Sequence, residues 1–182
     1  MILLGCRPKG RNTEQHDVFF GIARQLRDLV PEINNFWKGA APIHIDGWRI
    51  INHVDGFSIR VVEKERHTQA SSSKLFFLNL GGYKAGCFEE FHYKMLTVAA
   101  NPIEAAKNAK ETAFFLHTGL GKKGAAHIDD RFGVDVDDLF DIKDILPADA
   151  REKFSVTVVN NTGTATLPED EIHIGYFKLH EL

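Results

Sequence analysis

Residues 4–23 of this chain recur, altered, at residues 80–99. With 76 added to each number, Leu4 meets Leu80, Gly5 meets Gly81, Gly10 meets Gly86, Glu14 meets Glu90, His16 meets His92 and Ala23 meets Ala99. Unrelated segments of ordinary composition would agree at roughly one position in this stretch. Apolar positions correspond as well, Phe19 with Met95, Phe20 with Leu96 and Ile22 with Val98. The echo returns downstream at other offsets, His44-Ile45-Asp46 with His127-Ile128-Asp129 and Val54-Asp55 with Val136-Asp137. Order kept while spacers vary is how two copies of one fold unit diverge, and two copies favour a pseudo-symmetric globule over a solenoid. The expected division is 1–73 for the first repeat and 74–182 for the second, closed by a C-terminal hairpin, with one fused globule as the other arrangement.

Local patterns assign elements to this frame. Ile2–Gly5, Glu14–Ala23, Ile43–Asn52, Phe57–Glu63, Lys74–Leu80 and Glu90–Ala100 read as strands from their short apolar or alternating runs. Asp55-Gly56 between apolar runs marks a hairpin, because that turn requires positive φ. Leu26, Leu29, Val30, Ile33, Phe36 and Trp37 recur at helical spacing, and Pro31 within them kinks the helix or opens a second one. Asn101-Pro102-Ile103-Glu104 is a helix start, with a capping Asn, a first-turn Pro and a capping-box Glu; the helix is expected to reach about His117. Lys64–Lys74 reads as a polar loop, Ala126–Asp130 and Val134–Ile142 as short strands or turns, and Asp144–Glu152 as one or two short helices. Phe154–Asn160 and Glu171–Leu179 read as the closing hairpin. Each half is then strand-strand-helix-strand-strand. The fold class is α+β, a mainly antiparallel sheet with helices packed on one face.

Composition excludes several classes. The chain of 182 residues is 43% hydrophobic and 26% charged, enough apolar content for a real core and too much for disorder. A net charge of −3 with no long basic run excludes a dedicated nucleic-acid binder. No apolar run approaches the length of a membrane span, and Met1–Arg11 has the wrong layout for a signal peptide. The two cysteines, Cys6 and Cys87, occupy non-equivalent positions and form no Cys-x-x-Cys or Cys/His zinc pattern. Free thiols in a reducing cytosol are the simple reading, so the expected location is cytoplasmic.

Chemistry concentrates in the repeated polar blocks. On a strand, residues two apart share a face, so Glu14 with His16 and Glu90 with His92 project together, as do His44 with Asp46 and His127 with Asp129. A carboxylate beside an imidazole can move protons or ligate zinc, manganese or iron. If the blocks of each half converge, the candidate ligand-binding sets are Glu14, His16, His44 and Asp46, and Glu90, His92, His127 and Asp129. Plain strand alternation would place the same pairs toward water with no ligand at all. A middle reading has His and Asp bonding each other or the glycine-loop backbone to hold its shape. The glycine loops, Gly5-x4-Gly10 and Gly81-Gly82-x3-Gly86, lack the ending of a P-loop and precede no helix, so turn formation is their expected role. Cys87 before His92 has no counterpart in the first copy. The acidic run from Asp129 to Asp144 lacks the spacing of a calcium loop.

The paired Gly-x4-Gly-x3-Glu-x-His and His-Ile-Asp blocks, with Leu80-Gly81-Gly82-Tyr83-Lys84, resemble the family catalogued as domain of unknown function 1543. Members carry one or two copies of the domain, so the resemblance implies a duplicated domain, over Leu3 to about Leu146, and no assigned activity.

Three functions remain in view. The first is a cytosolic module binding a small molecule or protein near the duplicated loops, compatible with a homo-oligomer and involving neither nucleic acid nor membrane. The second is a metal-dependent hydrolase using the Glu-x-His and His-Ile-Asp blocks. The third is a structural role with no ligand. Cofactor, catalytic residue and metal stay open at this level.

Overall fold

The computed structural model describes residues 1–40, 42–66, 72–83, 86–111, 135–161, 168 and 170–182. It is an α+β fold of three antiparallel sheets. The first has four strands: β1 (Ile2–Cys6) is flanked by β2 (Gln15–Phe19) and β3 (Ile43–Trp48), and β10 (His173–Lys178) lies outside β3. The second joins β4 (His53–Val54), β5 (Phe57–Glu63) and β9 (Phe154–Asn160). In the third, β6 (Lys74–Tyr83) lies between β7 (Glu90–Ala99) and β8 (Asp135–Asp141).

Alternation sends opposite faces of each sheet to different surroundings. From the first sheet, Ile2, Leu4, Cys6, Phe19, Ile43 and Ile45 form one buried cluster with Leu29 and Ile33. Those last two come from a 3-10 turn, Leu26–Leu29, and helix α1, Val30–Phe36, whose N-cap is Leu29 and which has Pro31 in its first turn as expected. Burying a side chain as completely as Ile33 stabilises by about 1.5–3 kcal/mol. From the third sheet, Phe76, Leu78, Leu80, Met95 and Ala99 pack with Ala105 and Ala109 of helix α2, Pro102–Lys110. The alanines let that helix lie close to the strands. A third cluster joins the sheets: Phe20, Val54, Leu75, Phe77, Leu96, Val98 and Val158 meet Ile142 and Leu146. Phe19 and Phe20 enter different clusters, and the Phe20 ring meets Phe77 edge-on at 5.2 Å between centroids.

The local signals settle as follows. Asp55 and Gly56 both take positive φ, 52° and 81°, and turn β4 into β5. Asn101 caps α2 by accepting from Glu104 N at 3.0 Å, while the Glu104 carboxylate accepts from Ala100 N at 2.8 Å. Two short helices, α3 (Ile142–Ile145) and α4 (Ala148–Lys153), stand where the sequence placed one or two.

Other expectations are corrected. The strand read as Glu14–Ala23 is only Gln15–Phe19, because the chain leaves β1 after Phe19 to bury Phe20 in the joining cluster. The run Ile43–Asn52 stops being β3 at Trp48, and β3 and β5 lie in different sheets. Among the described residues the expected closing hairpin is replaced by other pairings: β9 pairs with β5 and β10 with β3, in different sheets. Apolar alternation told that both segments were strands, but their partners are more than 90 residues away in sequence, beyond any local signal. The end of the helix expected near His117 and the block Ala126–Asp130 lie outside the described residues.

The pairing of β6 with β7 repeats that of β1 with β2 at the 76-residue offset. Ile2–Phe19, Leu4–Asp17 and Gly5–His16 become Leu78–Met95, Leu80–Tyr93 and Gly81–His92. The third strand repeats too, but with β8: Gly5–His44 and Leu4–Ile45 become Gly81–Asp135 and Leu80–Val136. Both registers slip at the same place, between Leu3 and Leu4 and between Asn79 and Leu80, so Asp46 and Asp137 fall at the two bulges.

Candidate functional site

Gly5 is the floor of the site. It sits in β1 with His16 paired on one side and His44 on the other. The face that carries these residues is opposite the one covered by α1, since Leu4 and Cys6 point into the α1 cluster. Toward one end of this face Val18 packs on the joining cluster; toward the other, Glu14 and His16 are roughly half exposed. Asp46 reaches the same face from the bulge, which re-aims it against the two histidines.

The four side chains converge. His44 Nε2 lies 2.8 Å from Glu14 Oε1 and 3.2 Å from Asp46 Oδ1. His16 Nε2 lies 3.3 Å from Asp46 Oδ2 and 4.0 Å from Glu14 Oε2. Each carboxylate thus spans both imidazoles. The His44 side chain is only 6% exposed, yet its Nε2 makes no hydrogen bond, and neither does the buried Asp46 Oδ2. The short distances and the missing hydrogen bonds are reconciled by direction: the carboxylate oxygens crowd the ring nitrogen without meeting hydrogen-bond geometry. A buried polar atom left in this state costs about 1–3 kcal/mol. The Tyr176 ring of β10 packs over His44, 4.3 Å between centroids, and forms a wall of the site.

The floor explains the glycine. A Cβ at residue 5 would stand 2.5 Å from Asp46 Oδ2 and 2.9 Å from His44 Cε1, so only a hydrogen fits beneath the cluster. Gly81 is placed alike against Asp137. The reading of all these glycines as turn residues is therefore corrected: Gly10 and Gly86, with φ of 82° and 81°, serve turns, whereas Gly5 and Gly81 are strand residues whose missing side chain makes room. Cys6, the next residue, points away into the core; burial, and secondarily the Glu14 charge, push its thiol pKa up. An inert thiol results.

In the third sheet Glu90 and His92 come together as expected, with His92 Nε2 3.9 Å from Glu90 Oε2. Their third neighbour is Asp137, 3.5 Å away through Oδ2. The expected partners His127 and Asp129 lie outside the described residues. Among the described residues, the counterpart of His44-Ile45-Asp46 in register is Asp135-Val136-Asp137, of which Val136-Asp137 matches Val54-Asp55 in sequence. Tyr176 and the floor role of Gly5 were missed; both depend on cross-strand neighbours far away in sequence.

Comparison with known proteins adds a family resemblance and a fold. The family described as Domain of Unknown Function (DUF1543) matches residues 11–61, the segment that holds Glu14, His16, His44 and Asp46. No curated protein matches the chain in sequence. Among solved structures, the crystal structure of protein Il1583 from Idiomarina loihiensis is similar over 98% of this chain and 94% of that one, with a TM-score of 0.59 and 20% identity. That likeness shows a shared fold. Among the described residues no helix is long and apolar enough to cross a membrane.

Proposed function

We propose that this chain is a binding module whose ligand is a divalent transition-metal ion, zinc before others, held by Glu14, His16, His44 and Asp46. One observation carries the reading: the buried His44 Nε2, without a hydrogen bond, faces two carboxylates at 2.8 and 3.2 Å. Ligand atoms sharing one ion at bond lengths near 2.0–2.1 Å sit about 3.0–3.4 Å apart. The four imidazole–carboxylate separations, 2.8–4.0 Å, bracket that span. Two imidazoles with two carboxylates are a borderline donor set, suited to zinc, iron, nickel or manganese. A cation between them would satisfy the orphaned atoms and offset the mutual repulsion of the carboxylates.

The module is read as two copies of one fold unit, divided near residue 73 in sequence but fused into one globule, since β9 and β10 complete sheets begun by the first copy. Its two thiols are free, Cys6 buried and Cys87 exposed, which supports a reducing, cytosolic setting.

The test is metal analysis of protein purified without chelator, then zinc titration of the metal-free protein. About one tightly held equivalent is expected, and a 100-fold excess over Kd should raise the melting temperature by about 5–10 °C. The effect should vanish in His44→Ala. Substoichiometric metal, together with no thermal shift from zinc or nickel that His44→Ala abolishes, would sink the reading.

A metal-dependent hydrolase is the second reading. It is favoured by the exposure of Glu14 and His16, 42% and 45%, which leaves one side of the site open to water and substrate. Metal-dependent cleavage of a nitrophenyl ester or phosphate, lost in His44→Ala, would support it; its absence would leave the binding module alone.

A further inference from the structure

We infer that the chain carries a second cation site, at Glu90, His92 and Asp137, built for a harder ion than the first. It stands on its own residues and does not require the first site to be filled. Around Gly81, β7 places His92 and β8 places Asp135 where His16 and His44 flank Gly5. Asp137 comes from the bulge, as Asp46 does. One donor atom from each of Glu90, His92 and Asp137 lies within 4.8 Å of the others. A Cβ on Gly81 would run into the Asp137 carboxylate, 2.9 Å from Oδ1 and closer still to Oδ2. A strand interior is otherwise a poor place for glycine, so the bare position is tied to the carboxylate that fills it.

The two sites differ in donors. The first offers two imidazoles and two carboxylates; the second offers one imidazole and two carboxylates, and an aspartate holds the register position of His44. Its side chains are about one-third exposed, whereas His44 is buried. Oxygen-rich, hydrated surroundings suit manganese or magnesium, and the remaining imidazole tips the choice to manganese. The chain thus separates a site with two imidazoles from one with a single imidazole on the same scaffold.

The experiment uses full-length, metal-free His44→Ala protein, with the first site disabled, titrated with Mn2+ and followed by electron paramagnetic resonance and calorimetry. One equivalent of Mn2+ is expected. Adding Asp137→Asn or Glu90→Gln should each weaken binding at least about tenfold. The two changes lie on different strands, and the melting temperature of each variant without metal reports whether it folds. Absence of Mn2+ binding in His44→Ala overturns the inference. So does binding that neither second-site substitution moves. Failure of zinc at the first site would leave this titration unchanged, so the two readings fail separately.

Discussion

Gly5 and His44 are cross-strand partners, and the missing side chain of the first gives the second its place. A methyl group at residue 5 would press on both His44 and Asp46. Gly5→Ala should therefore weaken zinc binding at least about tenfold and cost on the order of 1–3 kcal/mol in stability. Gly10→Ala is the control. Its φ of 82° makes it a turn residue, and a Cβ there would meet nothing within 4 Å, so it should cost about 1 kcal/mol and leave zinc affinity unchanged. Titration and thermal melts of both variants separate the floor from the turn.

Asp55 does two things at once. It takes φ of 52° in the β4–β5 turn, and its Oδ2 accepts from Thr97 Oγ1 at 2.7 Å and Val98 N at 2.8 Å on β7. The β4–β5 turn is thereby pinned to β7. Asp55→Ala should cost about 2–3 kcal/mol in urea unfolding, since a backbone amide loses its acceptor and the left-handed turn loses a tolerant residue. Asp55→Asn should recover part of the loss, because it keeps the turn preference and one acceptor. Equal stability of Asp55→Ala and the unsubstituted protein would contradict this account.

Helix α2 depends on its cap. Asn101→Ala should lower stability by about 1 kcal/mol, measured by denaturant midpoint. Because Ala105 and Ala109 hold the helix against β6 and β7, the loss should appear in the global transition and not as local fraying.

Glu32 on α1 points the other way. Its Oε2 is buried without a hydrogen bond, and its carboxyl pKa is raised, chiefly by burial, then by the nearby Asp149 charge, against a smaller opposing effect of Lys153. A carboxyl whose folded pKa lies above its unfolded value destabilises the fold when ionised. The cost is absent below the ordinary carboxylate range, near pH 4, and grows as pH rises through the folded value. Glu32→Gln should therefore raise the melting temperature at pH 7 by about 2 °C, and the gain should shrink as pH is lowered toward about 4. A gain that does not change with pH would assign it to something other than ionisation.

Much of the scaffold was legible because its signals are local. Asp55-Gly56 marks its turn by backbone sterics alone, and Asn101-Pro102 marks a helix start by capping chemistry. The spacing of Leu26 to Phe36 marks a helix by periodicity. The candidate site was legible in part for the same kind of reason: residues two apart on a strand share a face, so Glu14 with His16, and His44 with Asp46, were paired before any sheet was known.

By itself, the sequence determined the α+β class, these local elements and the repeated Glu-x-His blocks beside glycine, because each rests on sterics, capping or alternation within a few residues. Tertiary structure decided which strands pair and what converges. It brought β3 beside β1, so that His44 and Asp46 meet Glu14 and His16, and it brought Asp137 to His92. It also sent β9 and β10 to different sheets. The physical reason is one fact about strands: backbone hydrogen bonding is indifferent to sequence, so partner and register are chosen by burying the right faces, and a one-residue bulge re-aims a side chain with no mark in the local pattern.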